Sequence, residues 1–216
     1  LKKALVIRGD FYHPSDKVDP LIDKCFTSSE WKVVKTDRAR DLFEDSYDLA
    51  MFFTNGRPEG ETDLTNSEQS AIVKMVREGM GIMFVHAGLV LIEEDSPFYT
   101  ELNSGRFAGH SKKHVSLTTA PIRNVSHPIT DGVTPLTAVD EHYYINVNFS
   151  KVTALMLSAS EEGTTLGSWC SEVGQGKVFS LIPGHTFAAL ETPQMQEIIE
   201  NAILWETGLS ANASRN

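Results

Sequence analysis

Short, wholly apolar runs recur along the first half of the chain, and the stretches between them repeat apolar positions every three or four residues. The runs "ALVI" (4–7), "WKVV" (31–34), "LAMFF" (49–53) and "IMFV" (82–85) read as strands, with a helical pattern over 16–27 between the first two. Thr65-Asn-Ser-Glu68 has the S/T-x-x-E form of a capping box. Ile72, Val73, Val76 and Met80 mark one face of the helix it opens, and Gly79 or Gly81 supplies its stop. Strands that are apolar throughout and alternate with amphipathic helices are buried on both faces. The pattern therefore predicts an α/β fold with a mostly parallel central sheet between helical layers.

The second half changes character. "KHVSLTTA" (113–120) alternates like a half-exposed strand, and "VTALML" (152–157), "TLGSWC" (165–170) and "KVFSLI" (177–182) read as further strands. Gly174-Gln-Gly176 suits a hairpin turn between the last two. Thr192-Pro193 forms the N-cap and first residue of a final helix. Met195, Ile198, Ile199, Ala202 and Ile203 are its buried stripe, and Gly208 ends it. No repeat or linker interrupts the chain, so one domain is expected over 1–208, followed by a polar tail over 209–216.

Composition narrows the partners. Hydrophobic residues make up 41% and charged residues 22% of 216, enough for one sizeable core. With 29 acidic against 19 basic residues the formal charge is −10, and no Lys/Arg stripe is present. Neither a nucleic acid nor an anionic membrane is an expected partner. The two cysteines, Cys25 and Cys170, have no metal-site spacing. Cys25 continues the helical series Val18, Leu21, Ile22 and is expected to face the core, Cys170 follows Trp169 in a strand, and neither reactivity nor a disulfide framework is expected. No apolar run approaches the roughly 20 residues of a membrane span, and a cytoplasmic location is expected.

In an open α/β sheet, ligands bind beyond the carboxyl ends of the strands. Asp10, Tyr12 and His13 follow the first strand, "TNGRPEG" (54–60) the third, His86 the fourth and Pro183-Gly184-His185 the last. Three histidines thus fall at one predicted rim, where they can hold a divalent metal, move protons or hydrogen-bond a polyol. His110 and His114 are four apart, but the second leads into a strand, so they are not expected to act as joint ligands. His110 follows Gly105-Arg-Phe-Ala-Gly109, which reads as a close-packed loop. In "VDEHYY" (139–144), neighbouring side chains alternate on extended backbone, so at most one of Asp140 and Glu141 is expected to face a cleft. "SHPITDG" (126–132) reads as a structural turn. Nothing of the form G-x-S-x-G supports Ser111 as a nucleophile.

These pieces occur in a family order. The chain resembles the ThuA-like (trehalose utilisation) family within the class I glutamine amidotransferase-like superfamily. The residues that carry the match begin with Gly9-x-x-x-His13, Glu68-Gln69, Gly79-x-Gly81, "FVHAG" (84–88) and "GRFAGH" (105–110). His127-Pro128-Ile129, Asp140-Glu141 with Tyr143, Trp169, Gly174-x-Gly176, Gly184-His185 and "AILWETG" (202–208) complete it.

The resemblance implies a flavodoxin-like three-layer sandwich. Amidotransferase relatives carry their nucleophilic cysteine where this chain has His86, and His185-Thr-Phe lacks the Pro-Glu that follows their histidine, so glutaminase chemistry is not expected. It implies instead a role in metabolism of trehalose or related 3-keto sugars without fixing the reaction, for which a hydrolase or lyase is the candidate. His86, His185 and Glu141 are the candidate catalytic residues, and His13, His86 and His185 the candidate ligands for zinc or manganese. Tyr12, His110, Asp140 and Tyr143 are the candidate sugar contacts. A metal-free acid–base site, or a non-catalytic sugar-binding or scaffold subunit, are the alternatives. The resemblance also implies homo-oligomers, with Phe98, Tyr99 and Phe187 as candidate contacts.

Overall fold

The computed structural model of the protein describes residues 1–26, 28–56 and 64–209. The rest of the "TNGRPEG" loop beyond Gly56, and the polar tail after Leu209, lie outside the described residues. The first half forms β1 (Lys2–Arg8), α1 (Ser15–Cys25), β2 (Trp31–Thr36), β3 (Leu49–Phe53), α2 (Asn66–Arg77) and β4 (Gly81–Val85). Next come β5 (Gly105–His110), β6 (Val115–Pro121), β7 (Leu136–Asp140) and β8 (Tyr143–Val147). The chain continues through β9 (Thr153–Ser160), β10 (Gly163–Val173), β11 (Gly176–Leu181), α3 (Phe187–Leu190) and α4 (Pro193–Thr207).

Nine strands form one sheet in the order β2-β1-β3-β4-β11-β10-β9-β6-β7. Neighbours from β2 to β11 run parallel, and β10, β9, β6 and β7 extend the sheet antiparallel. Parallel neighbours need crossover connections, which α1 and α2 help provide, whereas the glycine turn at 174–176 joins β10 and β11 directly. On β1 the side chains alternate between two cores. Val6 packs with Ile22, Phe179 and Ile199 on the side of α1 and α4, and Leu5 and Ile7 pack with Phe52, Ile72 and Phe84 on the side of α2. This is the expected sandwich, with helices on both faces of a sheet that is buried where it is parallel.

The capping box forms as read. Thr65 Oγ1 accepts from the Glu68 N–H at 3.3 Å while Glu68 Oε2 accepts from the Thr65 N–H at 2.8 Å. Thr192 caps α4, whose stripe is buried, and both cysteines are buried. Two expectations need correction. Residues 105–110 form strand β5, paired with β8 in a separate two-stranded sheet, because Gly105 must lie flat against Trp169: an added Cβ would stand 2.5 Å from its ring. Phe98 is not a surface contact but a core residue 1% exposed, set edge-on to Phe52 and Phe84.

Glu206, in the last turn of α4, is buried against Gly81, and neither carboxyl oxygen has a well-formed hydrogen bond. Burial pushes its pKa well above the ordinary 4.5, so the folded chain holds a proton there that the unfolded chain releases. Its contribution to stability is complete below pH 4.5 and declines as pH rises through the window up to the folded pKa, by about 1.4 kcal/mol per pH unit. Glu206→Gln is therefore expected to match the native chain in thermal melts near pH 4 and to melt increasingly above it towards pH 8. A constant difference across that range would remove Glu206 as the cause.

Candidate functional site

The strands β1, β3, β4 and β11 are consecutive in the sheet and parallel, so their carboxyl ends share one edge. His13 stands in the loop after β1, His86 directly after β4 and His185 four residues after β11. The loop after β1 is shaped by Asp10. Its buried carboxylate accepts from the backbone N–H groups of Tyr12 (2.8 Å), His13 (2.7 Å) and Asn55 (2.8 Å). The same carboxylate accepts from His13 Nδ1 at 2.9 Å.

His86 occupies a sharp turn at φ +43°, a conformation uncommon outside glycine and frequent at functional sites. Gly184, at φ +147°, leaves room for it: a Cβ there would stand 3.0 Å from that of His86. The loop carrying His185 is tied down by Asp140, fully buried, which accepts from the N–H groups of Gly184 (2.8 Å), His185 (3.0 Å) and Thr186 (3.1 Å).

The outer partners decide which ring nitrogens carry protons. His86 Nδ1 lies 2.7 Å from the Ile182 carbonyl, which can only accept, so in the neutral ring Nδ1 bears the hydrogen and Nε2 the lone pair. His13 is oriented the same way by Asp10. Burial works against ionisation of Asp10, but hydrogen bonds from His13 and Asn55 outweigh it and hold its pKa below the usual range. Burial lowers the pKa of His13 against the pull of Asp10, and burial lowers that of His185 against the pull of Glu141. Both imidazoles are therefore neutral at neutral pH. The inner nitrogens, His13 Nε2 and His86 Nε2, thus carry lone pairs, on rings whose outer nitrogens are each held by an acceptor, and they meet His185 Nδ1 and the Tyr143 hydroxyl. This is the arrangement in which histidines bind metals.

The ligand atoms of His13, His86 and His185 lie within 4.8 Å of one another. His13 Nε2 is 3.0 Å from His185 Nδ1, and Glu141 Oε2 is 3.2 Å from His185 Nδ1 and 3.7 Å from His86 Nε2. Zinc bonds of roughly 2.0–2.1 Å in a tetrahedron place ligand atoms about 3.3 Å apart, so these separations suit one small divalent ion. Burial disfavours the charge on Glu141, but the imidazoles of His86, His185 and His110 around it outweigh burial and hold its pKa down, to about 2. A bound cation would meet neutral nitrogens and one carboxylate.

Around this centre the remaining candidates take different places. Tyr143 is buried and stacks on His86 with ring centroids 4.3 Å apart, its hydroxyl 3.0 Å from His86 Nε2. Burial and nearby carboxylates raise its pKa, so it stays an O–H donor. His110, opposite Tyr143 on β5, reaches Glu141 Oε1 at 3.7 Å. Asp140 and Glu141 do face opposite ways: Glu141 enters the cleft, and Asp140 holds the loop behind it. Tyr12 is 53% exposed, beside Phe11. Ser111 is buried, its hydroxyl donating to Lys113 O and accepting from His142 N.

One residue that sequence spacing set aside joins the group. His114 lies one rung before the Val115–Asp140 pair of β6 and β7, which brings it opposite Glu141 and sets its ring 4.9 Å from that of His185. Neither cysteine supplies a nucleophile. Burial raises the thiol of Cys25 and pushes that of Cys170 up to about 12. His127 Nδ1 accepts from the Ile129 N–H, so the Nε2 facing Cys170 at 3.5 Å carries hydrogen and cannot serve as its base.

The ThuA family, described as trehalose utilisation, matches residues 3–206. No curated protein matches the chain in sequence. Among solved structures, a ThuA-like protein from Parabacteroides merdae superposes with a TM-score of 0.73 at 16% identity, covering 95% of this chain and 90% of that one. Another from Bacteroides uniformis does so at 0.73 and 16%, covering 94% and 90%. A β-galactosidase from Rahnella sp. R3 aligns at 0.68 and 12%, covering 97% of this chain and 31% of its own. At such identities the structural likeness speaks for the fold alone. Among the described residues no helix is long and apolar enough to cross a membrane. The match over nearly the whole chain places this protein in the ThuA family.

Proposed function

We propose that this ThuA-family chain processes a carbohydrate at a divalent-metal centre held by His13, His86 and His185, with Glu141 as the adjacent base. The observation that carries the reading is the fixed tautomers. Asp10 and the Ile182 carbonyl hold the outer nitrogens of His13 and His86, turning two lone pairs toward the atom that His185 presents. Such a centre supplies Lewis acidity toward a sugar carbonyl, or toward water. Glu141 is ionised and open to the cleft, placed to take a proton from water or from a C–H acidified by a neighbouring keto group. His185 Nδ1, 3.2 Å from Glu141 Oε2, completes the set of nitrogens that would hold the ion. Burial of His13 and His86 keeps bulk water from the reacting face.

Carbohydrate as the substrate class is supported by the family's description and by the rim. Phe11, Tyr12 and Phe187 are 72%, 53% and 53% exposed next to the two histidine loops. Aromatic faces at a cleft mouth suit the apolar C–H face of a sugar ring.

Metal analysis of untagged protein tests the centre. About one equivalent of zinc or manganese is expected per chain, lost in His13→Ala and in His86→Ala. Asp10→Asn is expected to weaken affinity by about 10–100-fold while leaving the ligands in place. A native chain that takes up no ion after incubation with zinc, manganese and cobalt overturns the reading, leaving metal-free acid–base chemistry or a sugar-binding module.

A further inference from the structure

The mouth of the cleft carries a second set of donors. His114, Glu141 and His185 bring one ligand atom each within 4.8 Å of one another. They come from three separate segments: the residue before β6, the residue after β7 and the loop after β11. Two imidazoles and a carboxylate form a donor set that zinc and similar ions accept. Glu141 and His185 are part-buried, and the His185 backbone is anchored through Asp140, so two of the three donors are already in place. His185 Nδ1 stands 3.0 Å from His13 Nε2 and 3.2 Å from Glu141 Oε2, so the inner and outer sets draw on the same imidazole.

We infer that His114, Glu141 and His185 form a second, outer cation position whose occupation inhibits the inner centre. Only the inhibition rests on the proposed function; the outer position stands on its own donors. Inhibition follows because Glu141 and His185 are shared. A carboxylate committed to the outer ion is withdrawn from proton transfer, and His185 is drawn away from the inner ligands. The outer position binds more weakly. His114 is exposed, and among the described residues its ring makes no hydrogen bond that orients it, whereas the inner imidazoles of His13 and His86 are oriented by acceptors. Lack of such orientation lowers affinity by about 10–100-fold.

Equilibrium dialysis of the metal-stripped full chain against zinc tests this. Two classes of site are expected, the weaker about 10–100-fold above the tighter in Kd. His114→Ala, an exposed substitution that leaves the core untouched, is expected to keep the tight class and lose the weak one. The double variant His13→Ala with His86→Ala is expected to lose the tight class and retain the weak one. Two classes surviving in His114→Ala overturn the outer position. A single class unaffected by His114→Ala does so too, and leaves the inner centre standing. A single class lost in His114→Ala but kept in the double variant overturns the inner centre instead, and no binding at all overturns both.

Discussion

Asp140→Ala is expected to lower the unfolding free energy by about 3–5 kcal/mol and to release the loop that holds His185. The side chain is fully buried, and its two oxygens accept three consecutive backbone N–H groups, from Gly184 to Thr186. Removing the carboxylate leaves those donors without partners in a dry interior, where each unsatisfied group costs about 1–3 kcal/mol. Asp140→Asn keeps one acceptor and should lose about half as much. Urea denaturation of the three chains measures the difference, and histidine NMR reports whether the His185 ring leaves His13. A loss below about 1 kcal/mol in the alanine variant would mean that water or a rearranged loop satisfies the N–H groups. Asp140 therefore acts as a brace behind the site. Its neighbour Glu141 is the carboxylate that meets the histidines.

Gly88→Ala is expected to destabilise the fold by about 3 kcal/mol or more, at the upper end of overpacking in a filled core. A Cβ at this position would stand 2.2 Å from the Phe52 carbonyl oxygen and 2.9 Å from its carbon. Those atoms are backbone of β3, hydrogen-bonded between β1 and β4, and cannot step aside as a side-chain tip could. The turn from His86 to Leu91 must instead lift off the sheet, carrying His86 with it. Thermal melts should fall, and with them any metal held at the proposed centre. A variant that folds normally yet loses only the metal would assign Gly88 a local role in aiming His86, without the global cost.

The candidate site was partly legible because its inner residues obey a local rule. Apolar runs buried on both faces announce parallel strands, parallel strands share an edge, and the residue after each run therefore lands on that edge. His13, His86 and His185 follow from this alone. The Asp10–His13 contact was within reach, since the two are three residues apart in one loop. His114 was not. Its lead into a strand ruled out a helical pair with His110 but named no other partner, and that partner, Glu141, is set by the antiparallel register of β6 and β7.

The sequence by itself determined the alternation of strand and helix, the helix caps, the burial of Cys25 and the rim on which the three histidines stand. Each of these depends on periodicity or on chemistry within a few residues. Only the tertiary structure decided the rest. Which of Asp140 and Glu141 enters the cleft depends on which face of β7 packs on the core. Which nitrogen of His86 offers its lone pair depends on a carbonyl 96 residues away. The antiparallel extension that delivers Glu141 and His114 depends on strand pairing between distant segments. Register and hydrogen-bond partner are properties of two chain segments together, and periodicity within one segment carries no record of the other.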